Sequence, residues 1–350
     1  MIDFKIGGIP IGTSHPPFVI AEMSGNHNQS LDRALEIVEA AAASGAHMLK
    51  LQTYTPDTMT LDITSGDFLI EEKDSLWSGR SLYELYAEAS TPWEWHEPII
   101  KRANELNMLC FSTPFDASAV DFLEQFDMPA YKIASFENAD LPLIKKAAST
   151  GKPLIVSTGM ASLGELEEAV KIMRGEGCTK FVLLKCTSTY PATADNSNIC
   201  TIPHMRDLFQ CEVGLSDHTM GVGSAVAAVA LGATVIEKHF TLSRADGGVD
   251  AAFSLEPDEL KSLVIETERA WRALGQVKYG PEQVELASMR FRRSIYISED
   301  IAEGAELTSD NLRIVRPGFG LAPKYYDILL GRKVNKALRR GTAMKWEFLG

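Results

Sequence analysis

The chain has 350 residues, 45% of them apolar and 23% charged, a usage that excludes a wholly disordered or fibrous protein and leaves ample length for a large core. Its net charge of −13 disfavours a nucleic-acid partner. No apolar run reaches the roughly 20 residues of a membrane span, the start Met1-Ile2-Asp3-Phe4-Lys5 lacks the build of a signal peptide, and five scattered cysteines read as reduced thiols of a cytoplasmic protein.

In chain order, residues 1–17 with Gly7-Gly8-Ile9-Pro10 predict a hairpin, placed at the bottom of whatever follows. Eight short apolar runs come next, at residues 18–22, 47–52, 109–113, 131–135, 154–158, 181–187, 212–218 and 235–239. Helical patterns alternate with them at 31–44, 93–107, 116–126, 140–150, 162–175 and 221–232. Strands alternating with helices imply parallel βαβ units, and eight of them over about 280 residues imply a closed (β/α)8 TIM barrel. An open doubly wound sheet is the structural alternative. Residues 54–90 show no clear apolar period and predict a lid or substrate loop after the second strand.

After Trp271 the pattern changes. Gly280-Pro281 begins a connector, 282–290 is helix-like, and short strands and turns follow. Residues 285–350 carry 12 Lys and Arg against 8 Asp and Glu, whereas the remainder is strongly acidic. The expected organisation is a barrel over 1–284 and a small β-rich domain over 285–350.

In such barrels the chemistry sits at the C-terminal ends of the strands. Here every run ends in polar groups: Glu22; Lys50 and Gln52; Ser112 and Thr113; Lys132 and Ser135; Ser157 and Thr158; Lys185, Thr187 and Ser188; Ser216, Asp217 and His218; Glu237, Lys238 and His239. Polar side chains in apolar strands are costly unless paired, so eight sets in succession predict a polar pocket. Lys50 and Lys132 suit a carboxylate or phosphate, or else form internal pairs with Glu22 and Glu237. The hydroxyls of Thr113, Ser135 and Ser157 add donors. No phosphate-loop motif is present, so a small anionic substrate is expected rather than a nucleotide. His218 and His239, on adjacent strand ends, are candidate ligands for an open-sited divalent metal, Mn2+ or Mg2+, with Zn2+ not excluded. Asp217 and Glu237 could orient them, and His27 and His47 are weaker candidates.

The runs Ala21-Glu22-Met23-Ser24-Gly25-Asn26-His27-Asn28, Lys50-Leu51-Gln52-Thr53, Tyr131-Lys132-Ile133-Ala134-Ser135, Val156-Ser157-Thr158-Gly159-Met160, Cys186-Thr187-Ser188-Thr189-Tyr190-Pro191, Leu215-Ser216-Asp217-His218-Thr219 and Glu237-Lys238-His239-Phe240-Thr241 resemble the sialic acid synthases. Arg293-Ser294-Ile295 and Arg316-Pro317-Gly318 resemble that family's antifreeze-like (SAF) domain. Gly25-Asn26-His27-Asn28-Gln29, the run 47–60, and Ser188 where an Asn is usual resemble the pseudaminic acid branch.

The resemblance implies a transferase that condenses phosphoenolpyruvate (PEP) with a 2-acetamido sugar aldehyde. In that branch the sugar is 2,4-diacetamido-2,4,6-trideoxy-L-altrose, and the product is a nine-carbon 2-keto acid. It also implies a divalent metal on His218 and His239, Mn2+ first with Mg2+ or Co2+ as alternatives. Glu22, Lys50 and Lys132 join the two histidines as catalytic groups. Asn26, Gln52, Thr113, Ser135, Ser157, Ser188, Tyr190, Ser216 and Asp250 would bind substrate. Arg316 would reach the sugar's acyl-amino group in a partner subunit, which requires a domain-swapped homodimer. The rivals are a synthase of sialic or legionaminic acid, a metal-free Schiff-base aldolase using Lys132 or Lys50, and a non-catalytic sugar-binding protein.

Overall fold

A computed structural model describes residues 4–71 and 76–350. The chain divides into two compact units, Met1–Gly275 and Gln276–Gly350. In the first, β1 (Phe4–Ile6) and β2 (Ile9–Ile11) form an antiparallel hairpin. Eight parallel strands then close a barrel: β3 (Phe18–Glu22), β4 (Met48–Thr53), β5 (Leu109–Pro114), β6 (Tyr131–Ile133), β7 (Leu154–Ser157), β8 (Phe181–Cys186), β9 (Glu212–Asp217) and β10 (Val235–His239). Each of the eight expected runs is a strand. They read as apolar runs rather than alternating ones because both faces of such strands are covered. The hairpin caps the barrel bottom as expected: a side chain on Gly7, held at a φ of +54°, would strike Leu109, the first residue of β5.

The helices are α1 (Leu31–Ala43), α2 (Pro56–Met59), α3 (Leu82–Ala89), α4 (His96–Glu105), α5 (Ala117–Leu123), α6 (Leu141–Ala148), α7 (Leu163–Gly175), α8 (Thr201–Phe209), α9 (Gly223–Ala230) and α10 (Pro257–Leu274). Several of their starts are chemically marked. The Ser30 hydroxyl accepts from Arg33 N–H, the Asp116 carboxylate accepts from Ser118 and Ala119 N–H, and Ser162 with Glu165 forms a capping box on α7. Helices α1, α4 to α7 and α9 answer the expected ones, whereas α8 and α10 lie where no helical pattern was assigned. The 54–90 stretch is not a bare loop: it holds α2 and α3, and Ser81 caps α3 by accepting from Glu84 N–H. Its residues 72–75 lie outside the described residues, as do residues 1–3 of the expected hairpin.

The second unit has its own core of Ile295, Ile297, Leu307, Leu312, Leu329, Val334, Leu338, Met344 and Phe348. Strands β11 (Ser294–Ile297) and β12 (Leu312–Val315) pair antiparallel, isolated bridges such as Tyr296 to Ala343 supplement them, and a single-turn helix α11 (Tyr326–Leu329) follows. The helix-like 282–290 stretch is a 3-10 helix, Gln283–Phe291, within this unit.

Candidate active site

Strand register assembles the site. Glu22 on β3 is level with Lys50 on β4 and His239 on β10, and Ser216 on β9 is level with Glu237. Residues of equal parity point the same way, so Glu237 and His239 face the barrel interior while Lys238 faces out. Lys238 pairs with Asp217 at 2.8 Å, and Asp217 accepts a further bond from Thr219 N–H. Asp217 therefore buttresses the barrel wall and does not orient a histidine.

Inside lies a buried charge cluster. Lys50 Nζ is 2.8 Å from Glu22 Oε2 and 2.7 Å from Glu237 Oε1. Lys132 Nζ is 3.4 Å from the same Glu237 oxygen and donates to Ser157 Oγ at 2.6 Å. Ser216 also donates to Glu237, and Gln52 donates to Glu22 and Ser24. All four charged side chains are buried. Buried ions are tolerable only when so matched. Burial opposes the charge of Glu237, yet Lys132 and Lys50 win and hold its carboxyl down to about 2. Burial pulls Lys50 down to about 7 against the pull of Glu237.

Above the cluster opens a cavity of about 740 Å3. Of the expected site residues, Lys50, Gln52, Lys132, Ser135, Ser157, Ser188, Tyr190, Ser216, His218, His239 and Asp250 line it. Ser188 donates to Ser135 at 2.9 Å, and Asp250 accepts from Ser24. Glu22 sits beneath Lys50 and Gln52. Thr113 is buried on β5 with its hydroxyl unpartnered, and it is not among the lining residues. Asn26 also lies outside the lining set: its amide donates to the Phe240 carbonyl and to Ser254, fastening the turn after β3 to the chain after β10. Arg316 is an exposed residue of the second unit, beyond the end of β12.

The two weaker histidines are committed elsewhere. His47 Nδ1 accepts from Val19 N–H, and His27 Nδ1 accepts from Gln29 N–H.

His218 and His239 come together with ring centroids 5.2 Å apart. The His218 Nδ1–H donates to the Thr187 carbonyl at 2.9 Å, the kind of second bond that fixes the tautomer of a ligating imidazole. Burial, then the charges of His218 and the lysines, holds His239 well below the ordinary histidine range, and so neutral. Its Nδ1 is buried without a hydrogen-bond partner. These two imidazoles fit a divalent metal. Among the described residues no group of three or more His, Cys, Asp and Glu side chains could hold one, so oxygens of substrate or water would complete the shell.

Aromatic rings box the histidine pair: Tyr190, an expected substrate contact, packs 4.6 Å from His218, and Phe253, unread in the sequence, packs 4.9 Å from His239. Two lining residues, Glu137 and Cys186, also went unread. Burial raises the Glu137 carboxyl to about 7, and one of its oxygens is buried and unpartnered. Burial also opposes ionisation of Cys186, but its bond to His218 and the nearby charges lower the thiol to about 7. Glu137 stands two residues past Ser135, a strand-end position whose neighbours carried the available signal.

The chain is similar to known proteins along most of its length. Residues 37–279 match the model of the NeuB family, and residues 292–349 match the SAF domain. A pseudaminic acid synthase of Campylobacter jejuni is 46% identical over 333 residues, 95% of this chain and 96% of that protein. A pseudaminic acid synthase of Helicobacter pylori is 41% identical over 94% of this chain and 96% of its own length. The solved N-acetylneuraminic acid synthetase of Leptospira borgpetersenii superposes with a TM-score of 0.73 at 32% identity, covering 83% of this chain and 96% of that one. This chain is a sugar acid synthase of the NeuB family, carrying a SAF domain.

Proposed function

We propose that the enzyme condenses PEP with 2,4-diacetamido-2,4,6-trideoxy-L-altrose to give a nine-carbon 2-keto sugar acid and phosphate. The observation that carries this reading is the pairing of Lys50 and Lys132 on a shared carboxylate, directly beside two converging imidazoles. Two lysines and the Ser157 and Ser135 hydroxyls meet a carboxylate and a phosphate; the histidine side of the cavity meets an aldehyde. The relatives named pseudaminic acid synthase support the choice of sugar.

In the reaction, the C2–C3 π electrons of PEP form a bond from C3 to the aldehyde carbon, whose oxygen takes up a proton. Water adds its oxygen to C2 and gives up its protons, and phosphate departs with the C2–O bond electrons, leaving the 2-keto group. Lys50 and Lys132 neutralise and orient the PEP anions, with Ser135, Ser157 and Ser216 as supporting donors, while Thr113, buried off the cavity, acts from behind the wall. Glu22, already bonded to Lys50 and Gln52, holds or accepts a proton from water or a sugar hydroxyl. Gln52, Ser188, Tyr190 and Asp250 face the sugar, while Asn26 acts through the turn that it fastens. A divalent metal on His218 and His239, Mn2+ foremost, would polarise the aldehyde oxygen.

The test is phosphate release from PEP over a panel of acetamido hexoses, with EDTA and with added Mn2+. The expected result is release with the L-altro diacetamido sugar, abolished by EDTA and restored by the metal. Release with N-acetylmannosamine in its place would overturn the choice of sugar. Metal-independent release would overturn the metal assignment, and no release at full metal loading would overturn the reaction.

A further inference from the structure

The strand-end groups account for the floor of the cavity and leave its upper wall unexplained. That wall belongs to the insertion between β4 and α4. Met59, Ile70, Trp77, Leu82, Leu85 and Tyr86 all line the space, and four of the six are aliphatic or thioether side chains with no hydrogen-bonding group of strength. The Trp77 indole N–H is already committed: it donates to the Val249 carbonyl at 3.1 Å. The Trp77 ring lies 6.2 Å from that of Tyr190. Trp77 thus runs from the β4 insertion to the loops after β8 and β10 and roofs the cavity. Beneath the roof, Tyr54 holds Tyr86 edge-on at 6.0 Å.

A hexose whose aldehyde carbon lies at the histidine pair turns its other end past Tyr190 to this wall. We propose that the wall is the subsite for the C6 end of the sugar and that it selects a methyl group there over a hydroxymethyl group. The inference rests on the reaction proposed above and adds the group that is recognised. A methyl against Met59, Ile70 and Leu82 gains contact and leaves water. A hydroxyl in the same place gives up its bonds to water and finds the roof N–H taken. An apolar pocket rejects an added hydroxyl by up to about a hundredfold, so a preference of about ten- to hundredfold is expected.

The experiment measures kcat/KM for phosphate release at saturating PEP with a matched pair of sugars. These are 2,4-diacetamido-2,4,6-trideoxy-L-altrose and its counterpart with a hydroxyl at C6. The wild-type enzyme is expected to prefer the deoxy sugar by about tenfold or more. Trp77→Ala and Met59→Gln are expected to shrink that ratio below about threefold through the sugar KM, leaving the PEP KM within about twofold. Equal turnover of both sugars by the wild type overturns the subsite and leaves the reaction standing. A preference unchanged in both variants also overturns it. Turnover of neither sugar overturns the reaction, and the subsite with it.

Discussion

His27 and His96 are fully buried, and their hydrogen bonds demand neutral rings in opposite tautomers. His96 places Nδ1 against the carbonyls of Pro92 and Trp93 and Nε2 at 2.7 Å from the Thr53 hydroxyl. His27 Nδ1 instead accepts from Gln29 N–H. Burial lowers both rings from 6.5 to about 4. Between those values the unfolded chain binds protons that the folded chain refuses, so stability is intact above about pH 6.5 and is lost as pH falls toward 4. Each ring accounts for about 3 kcal/mol at full effect. Thermal unfolding at pH 7 and pH 5 should show this loss. His96→Gln should be less stable at pH 7 but lose less on acidification, and an unaltered pH slope would refute the assignment. At this scale the sequence was a partial guide. Lys50, Lys132 and the histidine pair were legible because strand ends are legible. Asn26 was not, because sequence does not say which way a turn residue faces, and its Nδ2 group donates to Phe240 and Ser254 rather than into the cavity.

Among the elements, β9 leaves no room for a side chain at Gly214. A Cβ on Gly214 would lie 2.2 Å from the Val235 carbonyl oxygen and 2.7 Å from a Leu184 methyl. Gly214→Ala must therefore push β9 off both neighbours, near the upper end of the roughly 1–3 kcal/mol typical of overpacking. A lowered midpoint in calorimetry is expected, and an unchanged one would show that the strands yield freely. All eight barrel strands could be read because each is an apolar run with a polar end. Helix α8 escaped because Thr201-Ile-Pro203 opens it without a side-chain cap. Helix α10 does carry a starting signal, Pro257 in its first turn with the Glu256 N–H donating to Glu259, but it runs across Trp271 into the change of pattern. Helix α3 hid in the insertion because only Leu85 and Ala89 of its eight residues are buried, too few to set up a period.

At the scale of the whole molecule, two cores in one chain call for a reason to keep them together. The resemblance offers one, Arg316 serving a second subunit's sugar. Arg316→Ala is expected to raise the sugar KM by about tenfold or more with little change in the PEP KM; equal effects on both would sink that role. The barrel itself divides its cavity between two kinds of support. Lys50, Glu237 and His239 stand on strands locked by register, where a slip of one residue would displace every group by about 3.3 Å and turn it to the other face. Trp77, Met59 and Leu82 hang from an insertion that touches no register. On the subsite proposed above, substitutions in the roof would change the sugar that is accepted and leave the bond-forming floor as it stands.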